Sequence, residues 1–121
     1  MAKKILIVDD NERNRKLLRV LLTHSSYEVL EAENGKEGVT MARENIPGLI
    51  IMDIQMPVID GIEALKLIKE EPSTMNIPVI AITSYAMSSD REKFLKEGFD
   101  SYISKPIHTK EVLEVIRQFL P

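Results

Sequence analysis

The stretch from Lys4 to Asn11 reads KILIVDDN and contains the first apolar run of the chain. Its aliphatic part, Ile5 to Val8, has no polar side, which is typical of a parallel strand that helices cover on both faces. Two carboxylates, Asp9 and Asp10, follow this part directly. The run therefore predicts a buried strand of an α/β sheet with acidic side chains at its carboxyl end.

Similar short runs recur along the chain and alternate with longer stretches of helical period. This alternation is the pattern of βαβ units in a parallel sheet. The first, third and fourth runs are continuously apolar, whereas the second and fifth are mixed and suit the edges of the sheet. The predicted strands are Lys4 to Val8, Glu28 to Glu31, Leu49 to Met52, Val79 to Ile82 and Ser101 to Ile103.

Five helices are predicted between and after these strands. We expect Asn11 to cap the first, Asp60 the third and Thr109 the fifth. The second should run from about Gly35 to Asn45, and the fourth should begin at the capping box Ser89-Asp90-Arg91-Glu92 and end at Gly98. The residues expected to face the core are Leu17, Leu18, Leu21 and Leu22 in the first helix, Ile62, Leu65 and Ile68 in the third, and Leu113, Ile116 and Leu120 in the fifth.

Length and composition fit one globular domain. The chain has 121 residues, of which 44% are hydrophobic and 29% charged, so a single domain with a real hydrophobic core is expected over residues 1–121. The predicted fold is a doubly wound, five-stranded parallel sheet of the (βα)5 type, with strand order 2-1-3-4-5, as in flavodoxin-like proteins. Ligands of such sheets bind at the carboxyl ends of the strands.

The charge balance and the chain start exclude several classes of function. Sixteen basic and 19 acidic residues leave a net charge of −3, which favours neither nucleic acid nor anionic membranes as a partner. No cysteine is present, so disulfides and thiolate chemistry are excluded. The first apolar run is too short for a signal peptide or a membrane span, and a cytoplasmic location is expected.

Polar residues follow four of the predicted strands: Asp9 and Asp10, Asp53, Thr83 and Lys105. The fold would bring them to one crevice. Crowded carboxylates repel one another in a partly desolvated site and need a cation, and oxygen ligands without histidine or cysteine favour Mg²⁺. A lysine and a hydroxyl beside them suit phosphate oxygens. The set predicts a phosphoryl-transfer site.

Each feature alone has a structural alternative. Asp9 and Asp10 could end a strand and cap a helix, Asp53 could cap a turn, and Thr83 could be an ordinary strand residue. The apolar approach to Asp53, Leu49 to Met52, makes an unpaired structural carboxylate costly there. The joint occurrence of these residues favours the functional interpretation.

Several motifs resemble the receiver domain of two-component response regulators. They are the segment Ile5 to Asn11, the segment Met52 to Gly61 with Asp53 and Met56-Pro57, then Thr83, and finally Lys105-Pro106. The match covers essentially the whole chain, in the order and at the spacing of that family.

The resemblance implies a role for each matching residue. Asp53 would accept the phosphoryl group, Asp10 would ligate Mg²⁺ directly, Asp9 would do so through water, and the backbone carbonyl of Gln55 would complete the protein ligands. Lys105 would contact the phosphoryl oxygens.

Further family features concern the switch and the phosphate lifetime. A cis bond before Pro106 would aim the lysine. Thr83 and Tyr102 would move together and reshape the face formed by the fourth helix, fifth strand and fifth helix, although Tyr102 alone suits an ordinary edge strand. Gln55 and Tyr85 would tune phosphate lifetime.

The partners implied are a histidine kinase or histidine phosphotransferase and a downstream protein target. The chain would be a monomer or a weak, phosphorylation-dependent dimer, and it would catalyse only its own phosphorylation and dephosphorylation. No segment for an output domain follows the fifth helix, so direct binding to DNA is not expected. Basic residues of the first helix are expected to form a solvated face on the side where receivers dock kinases: Arg13, Arg15, Lys16 and Arg19.

Three other classes compete with this interpretation. A haloacid-dehalogenase-like phosphatase would need an aspartate at the position of Gln55. A flavodoxin would need a phosphate loop where Asp9 and Asp10 stand, and these would repel the flavin phosphate. A binding module that is never phosphorylated would not need the complete set of site residues.

Overall fold

The computed structural model describes residues 3–56, 58–84 and 88–120, without the side chains of Ser88 and Ser89. These residues form five strands and five helices in strict alternation. The strands are β1 Lys4–Val8, β2 Glu28–Ala32, β3 Leu49–Asp53, β4 Val79–Thr83 and β5 Ser101–Ser104. The helices are α1 Glu12–His24, α2 Gly35–Asn45, α3 Gly61–Glu70, α4 Ser88–Glu97 and α5 Thr109–Phe119.

The sheet is parallel throughout, with the order β2-β1-β3-β4-β5. The predicted fold class and strand order are confirmed. Alternate side chains of the central strands enter two separate cores: Leu6 and Ile50 pack on the side of α2, α3 and α4, and Ile5 and Ile51 on the side of α1 and α5. Burial on both faces explains why the central strands are continuously apolar.

Four strands run one residue farther than predicted. The extra residues are Ala32, Asp53, Thr83 and Ser104, and the parallel register includes them as Val8 with Ala32, Asp53 with Ile82, and Thr83 with Ser104. The polar residues were expected just beyond the strands because side-chain polarity marked the apparent end. Asp53 and Thr83 instead occupy the last rung of the sheet, so its backbone hydrogen bonds hold them.

Two of the three predicted caps are present. The side chain of Asn11 accepts from the backbone of Asn14 at 3.1 Å, and that of Asp60 accepts from Glu63 at 2.9 Å. The cap at Thr109 was wrong, because the extended residue His108 precedes the helix and its carbonyl already accepts from the N–H of Val112 at 3.1 Å.

The predicted capping box of α4 was also misplaced: with Ser89 as the cap the helix would begin at Asp90, two residues later than it does. The helix already includes Ser88, so Ser89 lies inside its first turn instead of preceding it.

The predicted apolar stripes are correct at their centres and wrong at their margins. Leu18 and Leu22 are buried, but Leu17 is 42% exposed because it lies about 100° around the helix from Leu18. In α5 the fully buried residues are Val112 and Ile116, whereas Leu113 and Leu120 only pack against the core edge. None of the helices in the described ranges is long and apolar enough to cross a bilayer.

The C-terminus of α2 offers a test of backbone strain. Ile46, the residue directly after this helix, has φ 45° and ψ 63°, a left-handed conformation that a β-branched residue adopts only at a cost. Ile46→Gly and Ile46→Ala both remove the side chain, but only glycine relieves the strain. We expect Ile46→Gly to be more stable than Ile46→Ala by about 1 kcal/mol in urea denaturation. Equal midpoints would contradict this explanation.

Candidate functional site

Three carboxylates converge at the carboxyl ends of β1 and β3. Asp9 and Asp10 follow β1, and Asp53 ends the neighbouring strand β3. One carboxylate oxygen of each lies within 4.8 Å of the others. Asp9 and Asp53 are buried and Asp10 is exposed. The cluster therefore opens to solvent on the side of Asp10.

Backbone contacts hold the two buried carboxylates in place. The N–H of Asp9 donates to Ala32 at 3.1 Å and so continues the pairing of β1 with β2. The Asp9 side chain accepts from the backbone N–H of Asn11 at 2.8 Å, and that of Asp53 accepts from the N–H of Gln55 at 3.1 Å. In each residue, Oδ1 accepts a hydrogen bond from the nearby backbone and Oδ2 lies on the side of Lys105.

Lys105 reaches the same cluster from the loop after β5. Its Nζ lies 3.4 Å from Oδ2 of Asp53 and 3.9 Å from Oδ2 of Asp9. Its backbone N–H donates to the carbonyl of Thr83 at 2.7 Å, and the peptide bond to Pro106 is cis. The site therefore contains one ammonium group against three carboxylates.

This donor set fits a hard divalent cation. Oδ2 of Asp9 is buried and has no hydrogen-bond partner among the described residues; the ammonium at 3.9 Å is too distant for a hydrogen bond. Such an atom is costly unless a cation completes its surroundings. Oxygen-only ligands with one open side suit Mg²⁺, which retains several waters. The residues that would hold it are Asp9, Asp10 and Asp53.

Burial and charge repulsion raise the pKa of the Asp53 carboxyl to about 6. Desolvation is the larger cause and the charge of Asp9 the second, while Lys105 and the N–H of Gln55 oppose them. Without a cation, the Asp53 carboxylate is therefore a destabilising charge at neutral pH.

This shift predicts an unusual pH dependence. Between about pH 4, where an unfolded aspartate titrates, and about pH 6, the folded state binds more protons than the unfolded state. The stability of the metal-free protein should therefore fall as the pH rises through this window. At pH above about 7, Asp53→Asn should raise the free energy of unfolding by about 2 kcal/mol, measured in urea with a chelator.

The two pH limits provide the control. Near pH 4 both proteins carry a neutral side chain at this position, so the difference should largely disappear. A variant that is less stable than the wild type at neutral pH would contradict the proposed repulsion.

The two predicted switch residues lie near the same end of the sheet. Thr83 ends β4 and is fully buried. Tyr102 of β5 is half-buried; its ring stacks on Phe94 of α4 at 5.9 Å, and its buried hydroxyl has no hydrogen-bond partner among the described residues. Burial raises the pKa of the Tyr102 phenol, with a second contribution from Asp90. The predicted lifetime residue Tyr85 lies outside the described residues.

One basic residue of α1 was misassigned. Arg15 was expected on a solvated face, but it is only 7% exposed, and its Nη1 donates to the backbone carbonyl of Asp9 at 2.7 Å. The sequence did contain the signal, because Arg15 lies three residues before Leu18 and seven before Leu22, on the buried face of the helix. Its charge concealed that position.

The parallel sheet and the acidic cluster define a class of protein: doubly wound α/β domains with an acidic cation site at the carboxyl ends of the central strands. The family model described as the response regulator receiver domain matches residues 5–117. The chain belongs to this family, whose members act in two-component systems.

Similarity to curated relatives and to solved structures supports this family assignment. The chain is 44% identical over 120 residues to the polar-differentiation response regulator DivK of Brucella anthropi, with 99% of this chain and 98% of that protein covered. It resembles the receiver domain of the sensor histidine kinase PA1611 from Pseudomonas aeruginosa PAO1, with 29% identity, a TM-score of 0.91 and coverage of 99% and 98%. That structure contains a magnesium ion coordinated in its active-site cleft.

A more distant structure shows the fold alone. The chemotaxis protein CheY4 of Vibrio cholerae is 24% identical, with a TM-score of 0.91 and coverage of 98% of this chain and 99% of that one. At this identity the similarity is evidence for the fold and not for the chemistry of the site.

Proposed function

We propose that the chain is one receiver domain that accepts a phosphoryl group on Asp53 from a phosphohistidine of a histidine kinase or histidine phosphotransferase. A carboxylate oxygen would attack phosphorus, the bond to the imidazole nitrogen would break, and the imidazole would leave with a proton. The observation that carries the proposal is the set of contacts around Asp53: two further carboxylates within 4.8 Å and the ammonium of Lys105 at 3.4 Å.

The acidic side chains would bind the metal ion, and the basic side chain would bind the phosphoryl group. Asp9 and Asp10 would hold Mg²⁺ together with Asp53 and the carbonyl of Gln55, and the ion would neutralise charge on the transferred group. Lys105 would leave its carboxylate partners and bind a phosphoryl oxygen as a point charge. Burial of Asp53 excludes much of the solvent, which strengthens these contacts.

The downstream step would use the residues beside the site. Thr83 would donate its hydroxyl to the aspartyl phosphate, and Tyr102 would move with it. The face formed by α4, β5 and α5 would then change its affinity for a target protein. Stacking of Tyr102 on Phe94 supports this coupling, because it joins β5 to α4 directly. Gln55 and Tyr85 would set the lifetime of the phosphate.

The proposal also limits the activity and the environment of the chain. Its only catalysis would be its own phosphorylation and dephosphorylation. The chain would act in the cytoplasm, as a monomer or a weak phosphorylation-dependent dimer.

The test is incubation with acetyl phosphate and Mg²⁺, followed by intact-protein mass spectrometry. We expect a gain of one phosphoryl group that a chelator prevents and hydroxylamine removes. No adduct at saturating donor and metal would contradict the proposal.

A further inference from the structure

The guanidinium of Arg15 lies buried beneath the turn that joins β1 to α1 and carries Asp9 and Asp10. Its side chain is 8% exposed, and Nη1 donates a buried hydrogen bond of 2.7 Å to the carbonyl of Asp9. This carbonyl belongs to the peptide group that carries the backbone N–H of Asp10. The guanidinium therefore restrains the orientation of the Asp9–Asp10 peptide plane, and with it the direction in which the Asp10 side chain leaves the backbone.

The same turn is held from the opposite side. The N–H of Asp9 donates to the carbonyl of Ala32 at 3.1 Å, so the last residue before Asp10 is anchored at both of its peptide groups. The Asp9 side chain also accepts from Asn11 at 2.8 Å. Among these contacts, the one from Arg15 is the only one that depends on a charged side chain outside the turn.

Glutamates hold the guanidinium in its orientation. Arg15 forms an ion pair with Glu12, and its Nε and Nη2 lie 3.4 Å and 3.8 Å from carboxylate oxygens of Glu31 and Glu33. These acids compensate the buried charge locally. The remaining effect of Arg15 on the cluster is its directed bond to the Asp9 carbonyl.

We propose that Arg15 is a positioning residue for the metal site: it sets the geometry of Asp9 and Asp10, and through them the affinity for Mg²⁺. This inference rests on the proposed function for the identity of the ion. Groups that orient ligands from behind commonly change metal affinity by tenfold to a hundredfold when they are removed.

Arg19 supplies a matched control on the same helix. It pairs with Glu31 at 2.8 Å and with Glu12 at 3.7 Å, but within the described part of the chain it forms no hydrogen bond to the turn. Arg19→Met therefore removes the same charge from the same group of acids without touching the carbonyl of Asp9. Arg15→Met removes both the charge and the bond, and Arg15→Lys keeps the charge but loses the planar donor geometry.

The first measurement is Mg²⁺ binding by calorimetry, together with the phosphorylation rate in acetyl phosphate as a function of Mg²⁺. We expect Arg15→Met to raise the half-saturating Mg²⁺ concentration about tenfold and to leave the rate at saturating Mg²⁺ nearly unchanged. Arg15→Lys should fall between it and the wild type, and Arg19→Met should match the wild type. Equal shifts in Arg15→Met and Arg19→Met, or no shift in either, would overturn the proposal.

The second measurement is amide hydrogen exchange of Asp10 and Asn11 in metal-free protein. Exchange should be faster in Arg15→Met than in Arg19→Met or the wild type. If the wild type binds no Mg²⁺, the proposed function fails, and Arg15 is then refuted as a metal-site residue even if exchange shows that it holds the turn. If Arg15→Met does not fold, Arg15→Lys decides: wild-type Mg²⁺ affinity and wild-type exchange in that variant would overturn the proposal.

Discussion

Asp53→Asn is expected to reduce phosphoryl incorporation to background, whether the donor is acetyl phosphate or a phosphorylated histidine protein. An amide has no anionic oxygen to attack phosphorus, and it removes one of the three carboxylates that lie within 4.8 Å of one another. The same substitution should stabilise the metal-free fold at neutral pH, because it removes a buried charge whose pKa is raised to about 6. Loss of labelling therefore would not reflect unfolding.

Asp60→Asn is the matched control for this loss. Asp60 lies at the end of the loop that follows Asp53, is exposed, and caps α3 by accepting from the N–H of Glu63 at 2.9 Å. Asparagine caps helices as well as aspartate does, so this variant removes one nearby carboxylate without a structural cost. It should label at the wild-type rate. Residual labelling of Asp53→Asn above background would indicate a different acceptor.

Gly61→Ala should produce the largest loss of stability. A Cβ at this first residue of α3 would lie 2.5 Å from the carbonyl oxygen of Asp53 and 2.9 Å from Cα of Ile54. Both atoms belong to the backbone, so they cannot turn aside as a flexible side chain can. We expect the free energy of unfolding to fall by about 3 kcal/mol, with slower phosphorylation because Asp53 itself would shift.

Gly48→Ala separates this contact from the general effect of removing a glycine. Its Cβ would lie 3.3 Å from Cδ2 of Leu120, at the end of a movable side chain. Its stability should stay within about 1 kcal/mol of the wild type in urea denaturation. Equal destabilisation of the two variants would contradict the proposed close approach of α3 to the end of β3.

The sheet was predictable because its signal is redundant. Strands such as Leu49–Asp53 and Val79–Thr83 are apolar up to their last residue and buried on both faces, and alternation of such strands with helices indicates a parallel α/β sheet. The convergence of Asp9 and Asp53 then follows from the topology alone. Their joint position needed no knowledge of side-chain contacts.

Features that depend on pairwise geometry were less predictable. The role of Arg15 was missed because a charged residue on a buried helix face is interpretable only when its acceptor, the Asp9 carbonyl, is known. The ends of β3 and β4 were placed one residue short because Asp53 and Thr83 are polar, although backbone pairing and not polarity determines where a strand ends. The predicted cap of α5 was wrong because the helix includes Thr109, so the extended residue before it is His108.

The most direct test of the central claim is chemical mapping of the phosphorylated residue. Borohydride reduces an aspartyl phosphate to homoserine, so the protein labelled in acetyl phosphate and Mg²⁺ can be reduced, digested and sequenced by tandem mass spectrometry. The account predicts homoserine at position 53 and unchanged aspartates at positions 9 and 10. Homoserine at another position, or a phosphate that resists hydroxylamine and lies on a hydroxyl group, would contradict it.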